Sequence, residues 1–395
     1  MRRDGLRIGI DARFLTHAQP GGFKTYTEGL VEGLRLVDDV NSYFLYIDRP
    51  PSAGQLPSAA NFTYRVVQSR LPVLGMPARE QIALPRRMMA DRLDVLHFLC
   101  STAPLKLPPK SVITLHDTIQ LAEPQLCVYG TGLARHRRRV MLGYSSWVIR
   151  RIARLASCLI TPSLYERELI SRYLGISLRR IHVTPEAPTR RLVRWSTGEK
   201  EKGRTKAEGW GVRGRFVLGV GYEPRKNIPL LIEAFARLAR DQPALQLVVA
   251  AAEAQCRRVF QHLAREAGVG GQTLILGAIS GDDLGVLFRL AEMFVFPSER
   301  EGFGLPPLEA MACGVPVVAL RCSSTPEVLG DAALLLEEKN ADVLAAAMSR
   351  VLVDHDLRAT LIDKGLKRAA EFSWERCARQ TIEVYREVAE DRCLR

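Results

Sequence analysis

Residues Phe294–Leu320 read FVFPSEREGFGLPPLEAMACGVPVVAL. Met293 to Phe296 is a short apolar run of β-branched and aromatic character, which predicts a buried strand. Pro297 and Ser298 end it. Gly302 and Gly304 permit a tight turn whose backbone can approach a ligand. Pro306 and Pro307 suit the first turn of a helix, where a missing N–H costs little. Gly314 is placed to cap that helix, and Val315 to Leu320 is the next strand. Glu301 therefore falls in the loop and Glu309 one turn inside the helix, with seven residues between them. Both can face the helix N-terminus, whose free N–H groups attract anions. Two glutamates so spaced are, in isolation, surface acids, so the flanking pattern has to decide between the readings.

Working outward, strand-like and helix-like segments alternate. Ile8 to Asp11, Tyr43 to Ile47, Val95 to Phe98, Val112 to Leu115 and Cys158 to Thr161 read as strands, with helices over Thr25 to Leu36 and Leu164 to Leu174. The stretch from Ser196 to Gly214, containing TGEKEKGRTKAEG, is polar and basic and reads as a linker or surface excursion. Alternation resumes with Phe216 to Gly219, Leu245 to Ala251 and Leu274 to Leu276 as strands. Ile228 to Ala239, Glu253 to Ala267 and Asp283 to Ala291 read as helices. Repeated βα units imply two parallel sheets, each a doubly wound α/β domain, with ligands at the carboxyl ends of strands. The expected organisation is an N-terminal domain over 1–193, a linker over 194–214 and a second domain over 215–371. A final segment, 372–395, forms a helix with Ser373 as its N-cap.

A second constellation lies in VLGVGYEPRKNIPLLIEAF (Val217 to Phe235). A strand runs into a loop bearing Arg225 and Lys226. Asn227 is a candidate N-cap, and Pro229 falls in the first helical turn. Two cations beside a helix N-terminus suit a diphosphate, by dipole and by ionic hydrogen bonds. Nearer the start, Gly21-Gly22-Phe23-Lys24 follows the first strand and opens a helix, and Thr114-Leu115-His116-Asp117 ends another strand. Ser324 or Thr325 is a candidate cap before Pro326. Asp354-His355-Asp356 looks superficially like a metal-binding Asp-x-Asp, but it has no glycine loop or strand end around it, and metal binding is not expected there.

The chain has 395 residues, 47% of them hydrophobic, and a net charge of +13. That size suits two ordinary domains. No apolar run approaches the roughly 20 residues that span a bilayer. Met1-Arg2-Arg3 has the charge of a signal-peptide start, but Leu6 to Asp11 reads as a strand, so export is not expected. The eight scattered cysteines form no Cys-x-x-Cys pair and read as small core residues of a reducing, cytoplasmic protein. The charge is uneven: seven arginines and no acid lie between Leu133 and Leu155. Val140, Met141, Tyr144, Trp147, Val148, Ile152 and Leu155 interleave with them at helical spacing. This is either a core-facing helix with a solvated basic face or an interfacial helix touching anionic lipid at the inner face of a membrane. No recognition motif accompanies the charge, so nucleic acid is not an expected partner.

These elements together resemble glycosyltransferase family 4, retaining nucleotide-sugar enzymes of the GT-B fold, from Ile8 to Val388. The resemblance rests on the Glu-x7-Glu stretch with its Gly-Phe-Gly-Leu-Pro turn, on Glu-Pro-Arg-Lys-Asn, on the His-Asp strand end and on the Gly-Gly loop. It implies two Rossmann-like domains facing a cleft, and a sugar moved from a nucleoside diphosphate to a hydroxyl. It further implies that Arg225 and Lys226 hold the diphosphate and Glu309 the ribose. Glu301 and the backbone of Gly302, Phe303 and Gly304, with Leu305, would lie at the donor sugar. Gly22 would approach the donor, and His116 would contact the transferring sugar. Asp117 and Glu80 would line the acceptor side. In this sequence Gly221 is followed by Tyr222 where many members carry arginine, which leaves open how many cations this loop contributes. No cofactor or obligatory metal is implied. The resemblance leans to GDP-mannose, with UDP-sugars close behind, and to a glycan, lipid-linked or small-molecule acceptor. A GT-B epimerase or phosphorylase, and a membrane-associated scaffold without activity, are the alternatives.

Overall fold

The computed structural model describes residues 5–17, 21–52, 54–68, 75–130, 132–189, 192, 197–250 and 253–392. The chain divides into two compact units. The first comprises 1–122, 140–187 and 373–395, and the second comprises 123–139 and 188–372.

The first unit is built on seven strands: β1 (Arg7–Asp11), β2 (Ser42–Ile47), β3 (Phe62–Val66), β4 (Val95–Phe98), β5 (Ser111–Thr114), β6 (Cys158–Thr161) and β7 (Ile181–Val183). All pair in parallel, in the order β3-β2-β1-β4-β5-β6-β7. The central strands are buried along their length because helices cover both faces, which is why they are near-continuous apolar runs. Chain order reverses between β1 and β4, and loops leaving a doubly wound sheet at such a switch point form its binding crevice. The Gly22–Val37 helix packs on the Trp374–Ala389 helix. A Cβ at Gly33 would fall 2.3 Å from the Trp374 carbonyl oxygen, so glycine sets how closely the two helices approach.

The second unit has β8 (Phe216–Val220), β9 (Gln246–Ala250), β10 (Thr273–Ile275), β11 (Met293–Phe296), β12 (Val317–Leu320) and β13 (Leu334–Leu336). Its parallel order is β10-β9-β8-β11-β12-β13. The reversal here falls between β8 and β11, the strands that lead into the Arg225-Lys226 loop and the Glu301 loop.

Three local readings change. The polar stretch after Ser196 holds a 13-residue helix, Thr197–Gly209, where composition suggested a linker. Lysine and glutamate are good helix formers, and two small residues four apart, Gly203 and Ala207, seat it: both are buried while Lys206 pairs with Asp283 at 2.6 Å. The Arg-rich segment is a helix, Gly132–Leu155, but its apolar residues do not share one covered face. Val148 and Ile152 are core, with Ile149 and Ala153, whereas Val140, Met141, Trp147 and Leu155 are exposed. Among the described residues six cysteines are free thiols, but Cys158 is disulfide-bonded. Scattered cysteines without a spacing pattern carry no pairing signal.

Candidate functional site

The Glu-x7-Glu stretch folds as strand, turn, helix and strand. Phe296 ends β11, Gly304 takes φ +104° as the N-cap, and the Leu305–Ala312 helix follows. Its end is closed by Gly314 at φ +73°, whose N–H donates to Met311 O while Val315 N–H reaches back to Ala310 O. That pair of bonds is the glycine cap the sequence predicts.

The loops after β8 and β11 are stitched together. Glu299 N–H donates to Arg225 O at 2.8 Å, and Ser298 Oγ donates to the same oxygen at 3.1 Å. Across this seam Arg225 Nη1 and Lys226 Nζ both lie 2.7 Å from Oε1 of Glu301. Ser298 Oγ lies within hydrogen-bond distance of that oxygen too, so its single O–H is shared between Glu301 and the Arg225 carbonyl. Lys226 and Glu301 are buried. Gly221, at φ +118°, makes room for the lysine: a Cβ there would sit 2.6 Å from Lys226 Cγ. The ammonium also lies 4.9 Å from the Phe296 ring centre.

Burial opposes the charge of Glu301, yet Arg225 and Lys226 together outweigh it and hold the carboxyl down at about 2. Lys226 does not rise in return. Burial and the adjacent Arg225 lower its pKa despite Glu301. Two cations compete for one carboxylate oxygen, with Glu223 a more distant partner of Arg225 at 3.7 Å. An anion arriving here would meet cations already gathered.

Asn227 stands at the N-cap position of the Ile228–Leu238 helix but makes no side-chain cap. It is chosen for backbone, adopting φ +51°, which asparagine tolerates. Ser324 likewise makes no cap. Its single O–H is shared between the carbonyls of Phe303 and Glu301, at 2.9 and 3.1 Å, and so braces the turn. The Phe303 ring is buried against Phe372, leaving its backbone as what it can offer a ligand. Glu309, on the helix, accepts from Thr189 Oγ1 at 3.1 Å. Asp354 caps the His355–Ala370 helix by accepting from Leu357 N–H.

The sequence reading overlooked the segment 123–139, which belongs to this unit. Arg300, next to Glu301, is buried and pairs with Glu123 at 3.2 Å. Tyr129 packs edge-on to Tyr222, the residue standing where arginine is usual. Arg138 lies 3.7 Å above the Tyr129 ring and pairs with Glu253 at 2.8 Å. Apart from Arg138 over Tyr129, these contacts join residues about 90 to 180 apart in sequence, and no local pattern reports them.

In the first unit Gly21 and Gly22 open the Gly22–Val37 helix, and a Cβ at either would meet open space. His116 follows β5. Its Nδ1 is 2.9 Å from Glu186 Oε1 and its Nε2 is 2.8 Å from Leu99 O. Asp117 accepts from Ile119 N–H at 3.0 Å. Glu80 is buried in a network with Arg13, Arg79 and Asp11, 3.3 Å from Arg13, so its carboxylate is engaged within the fold. Among the described residues no group of three or more His, Cys, Asp or Glu could hold a metal ion.

Comparison with known proteins places these features in a family. Residues 20–187 match the model described as Glycosyltransferase Family 4, and residues 208–368 match Glycosyl transferases group 1. The chain belongs to glycosyltransferase family 4. Among curated family members it is 38% identical over 173 residues to O-antigen chain mannosyltransferase B of Escherichia coli, covering 43% of this chain and 45% of that protein. It is 32% identical over 242 residues to the MMP alpha-(1->4)-mannosyltransferase of Mycolicibacterium hassiacum, covering 60% of this chain and 55% of the relative. The chain thus spans about half the length of each. Of solved structures, sucrose-phosphate synthase from Thermosynechococcus elongatus is similar with a TM-score of 0.72 at 21% identity, covering 97% of this chain and 98% of its own. Anabaena HepE in complex with UDP and glucose gives 0.69 at 18% identity, over 96% and 98%. At those identities the likeness shows the fold, which is GT-B.

Proposed function

We propose that this family-4 chain moves a hexose from a nucleoside diphosphate sugar to an acceptor hydroxyl with retention of anomeric configuration and without an obligatory metal. The observation that carries the reading is the convergence of Arg225 and Lys226 at the switch point of the second unit, in the seam with the loop that leads to the Leu305–Ala312 helix. Cations fixed there can balance the charge that develops on a departing diphosphate, the task a metal performs elsewhere. Glu301 organises the two cations and, with the backbone of Gly302 to Leu305, faces the donor sugar. Glu309 receives the ribose hydroxyls. Acceptor attack on the same face, with the departing phosphate taking the acceptor proton, needs no protein nucleophile. The mannosyltransferases among the relatives favour GDP-mannose, while the UDP complex of a fold relative keeps UDP-sugars in contention. A glycan, a lipid-linked saccharide or a small molecule is the acceptor class.

The deciding experiment is a thermal-shift panel of UDP, GDP, ADP, dTDP and their sugars, with EDTA throughout. A ligand selective for the native state raises the melting temperature, by about 2.7 kcal/mol of stabilisation at a hundredfold excess over Kd. One base giving a clear rise without metal is the expected result. No rise with any nucleotide would reject the donor site and favour an inactive scaffold.

We also propose peripheral contact with an anionic membrane through the Gly132–Leu155 helix. Among the described residues no helix is long and apolar enough to cross a bilayer. Exposed Met141 and Trp147, with exposed Arg139, Arg150 and Arg151, give the helix both apolar and cationic groups for a lipid surface. Each arginine near such a surface contributes about 1 kcal/mol. Arg150→Glu with Arg151→Glu should therefore weaken co-sedimentation with phosphatidylglycerol vesicles by roughly 30-fold or more. Equal binding of both proteins, or equal binding to neutral phosphatidylcholine, would remove the helix from that role.

A further inference from the structure

His116 has two ring nitrogens and two acceptors. Leu99 O, 2.8 Å from Nε2, is a carbonyl and can only accept. Glu186 Oε1, 2.9 Å from Nδ1, accepts when the carboxyl is ionised. A neutral imidazole has one N–H and cannot serve both. Either the ring carries two protons and Glu186 none, or the ring carries one and Glu186 is a neutral acid. Histidine holds a proton more tightly than glutamic acid by about two pH units in water, so the shared proton belongs on the ring. We propose that Glu186 is a positioning residue that keeps His116 as an imidazolium, a fixed positive charge at the carboxyl end of β5.

The surroundings agree. Glu186 is buried, and the His116 ring is enclosed edge-on by Phe23 and Tyr26, with centres 5.1 and 4.6 Å away. Burial alone would discharge the ring, but its bonds to Glu186 and Leu99 O, with Asp117 nearby, raise its pKa above the ordinary value of 6.5. His97, on β4, opposes it and gives way. Burial first, and the His116 charge second, push His97 down to about 3. Neutral His97 is satisfied by hydroxyls, Tyr385 at 2.7 Å and Thr114 at 2.8 Å, which can donate or accept. Tyr26 and Cys377, which face Glu186 from the first and last helices, stay uncharged, since burial raises both, Cys377 to about 12.

With both N–H groups turned inward, His116 acts on a ligand by charge rather than by a hydrogen bond from its ring. The group it favours is anionic, a phosphate or the charge appearing on a leaving diphosphate. This last step rests on the transferase reading, while the charge state does not.

The test uses the full chain labelled with nitrogen-15 histidine, the His116 signals being assigned by their loss in His116→Gln. At pH 7 both ring nitrogens of His116 should be protonated, with a titration midpoint above 7. Glu186→Gln should lower that midpoint by at least one pH unit. Transfer should fall 10-fold or more at pH 8 and recover toward pH 6, where acid restores the proton, while Glu186→Asp, which keeps the charge, retains activity at pH 8. A wild-type ring with one unprotonated nitrogen at pH 7 would overturn the proposal. An unchanged midpoint in Glu186→Gln would do the same, as would a loss of activity that is flat with pH. The magnetic-resonance arm needs no activity, so failure of the pair and failure of the transferase reading are told apart.

Discussion

Glu301→Gln is expected to cost about 3 kcal/mol of folding stability at neutral pH, and to remove most of that cost by pH 3. The carboxyl is held from its ordinary 4.5 down to about 2 by Arg225 and Lys226, against the opposing effect of burial. At about 1.4 kcal/mol per pH unit, that is about 3 kcal/mol of differential stabilisation of the charged form. The sign follows from the depressed value. The stabilisation is complete above 4.5, where the unfolded carboxyl is also ionised, and it is lost as the pH falls toward 2. Wild type should therefore lose stability through that window more steeply than the glutamine variant. The side chain is buried, so solvent screening does not discount the figure. Glu301→Ala should be at least as severe, because it leaves buried Lys226 and the partly exposed Arg225 facing each other without their carboxylate. Urea unfolding of both proteins at pH 7 and pH 3 measures the effect. Equal midpoints at pH 7 would mean that the triad contributes nothing net and that its geometry is incidental.

The same triad shows what the sequence could reveal. Strand, glycine turn, helix and cap are local matters, so 294–320 could be read from the spacing of apolar, proline and glycine residues. The glycine cap at Gly314 and the N-cap at Ser373 follow from such rules and form as expected. That Arg225 and Lys226 meet Glu301 is a different kind of fact. It depends on β8 and β11 being neighbours at a switch point, 75 residues apart for the Lys226 contact. Glu186 was invisible for the same reason: nothing in Thr-Pro-Glu-Ala-Pro indicates that a histidine 70 residues earlier lies beside it. The Gly132–Leu155 helix marks a further limit. Periodicity tells which residues share a helical face, but not whether anything covers that face, and Met141 and Trp147 are exposed where Val148 and Ile152 are not. Asn227 shows that one residue type serves two ends, since asparagine suits both a capping side chain and a left-handed backbone.

The second large effect separates the phosphates from the rest of the nucleotide. Lys226→Ala and Arg225→Ala should each weaken binding of a nucleoside diphosphate by about 10- to 150-fold, the loss of one hydrogen bond to a charged group at 1.5–3 kcal/mol. Neither should alter binding of the matching nucleoside, because both cations lie in the loop that a diphosphate would occupy. Glu309→Gln gives the opposite pattern. A group that receives ribose hydroxyls is used equally by nucleoside and diphosphate, so both should weaken by the same factor. Calorimetry with the nucleotide that produces the largest thermal shift, and with its nucleoside, therefore yields two ratios per variant. Raised salt should narrow the wild-type advantage of diphosphate over nucleoside and leave the lysine and arginine variants less affected, since the screened term is the one they have lost. If Lys226→Ala weakens nucleoside and diphosphate alike, the residue supports the loop and does not hold phosphate, and the cations would have to be read as partners of Glu301 alone.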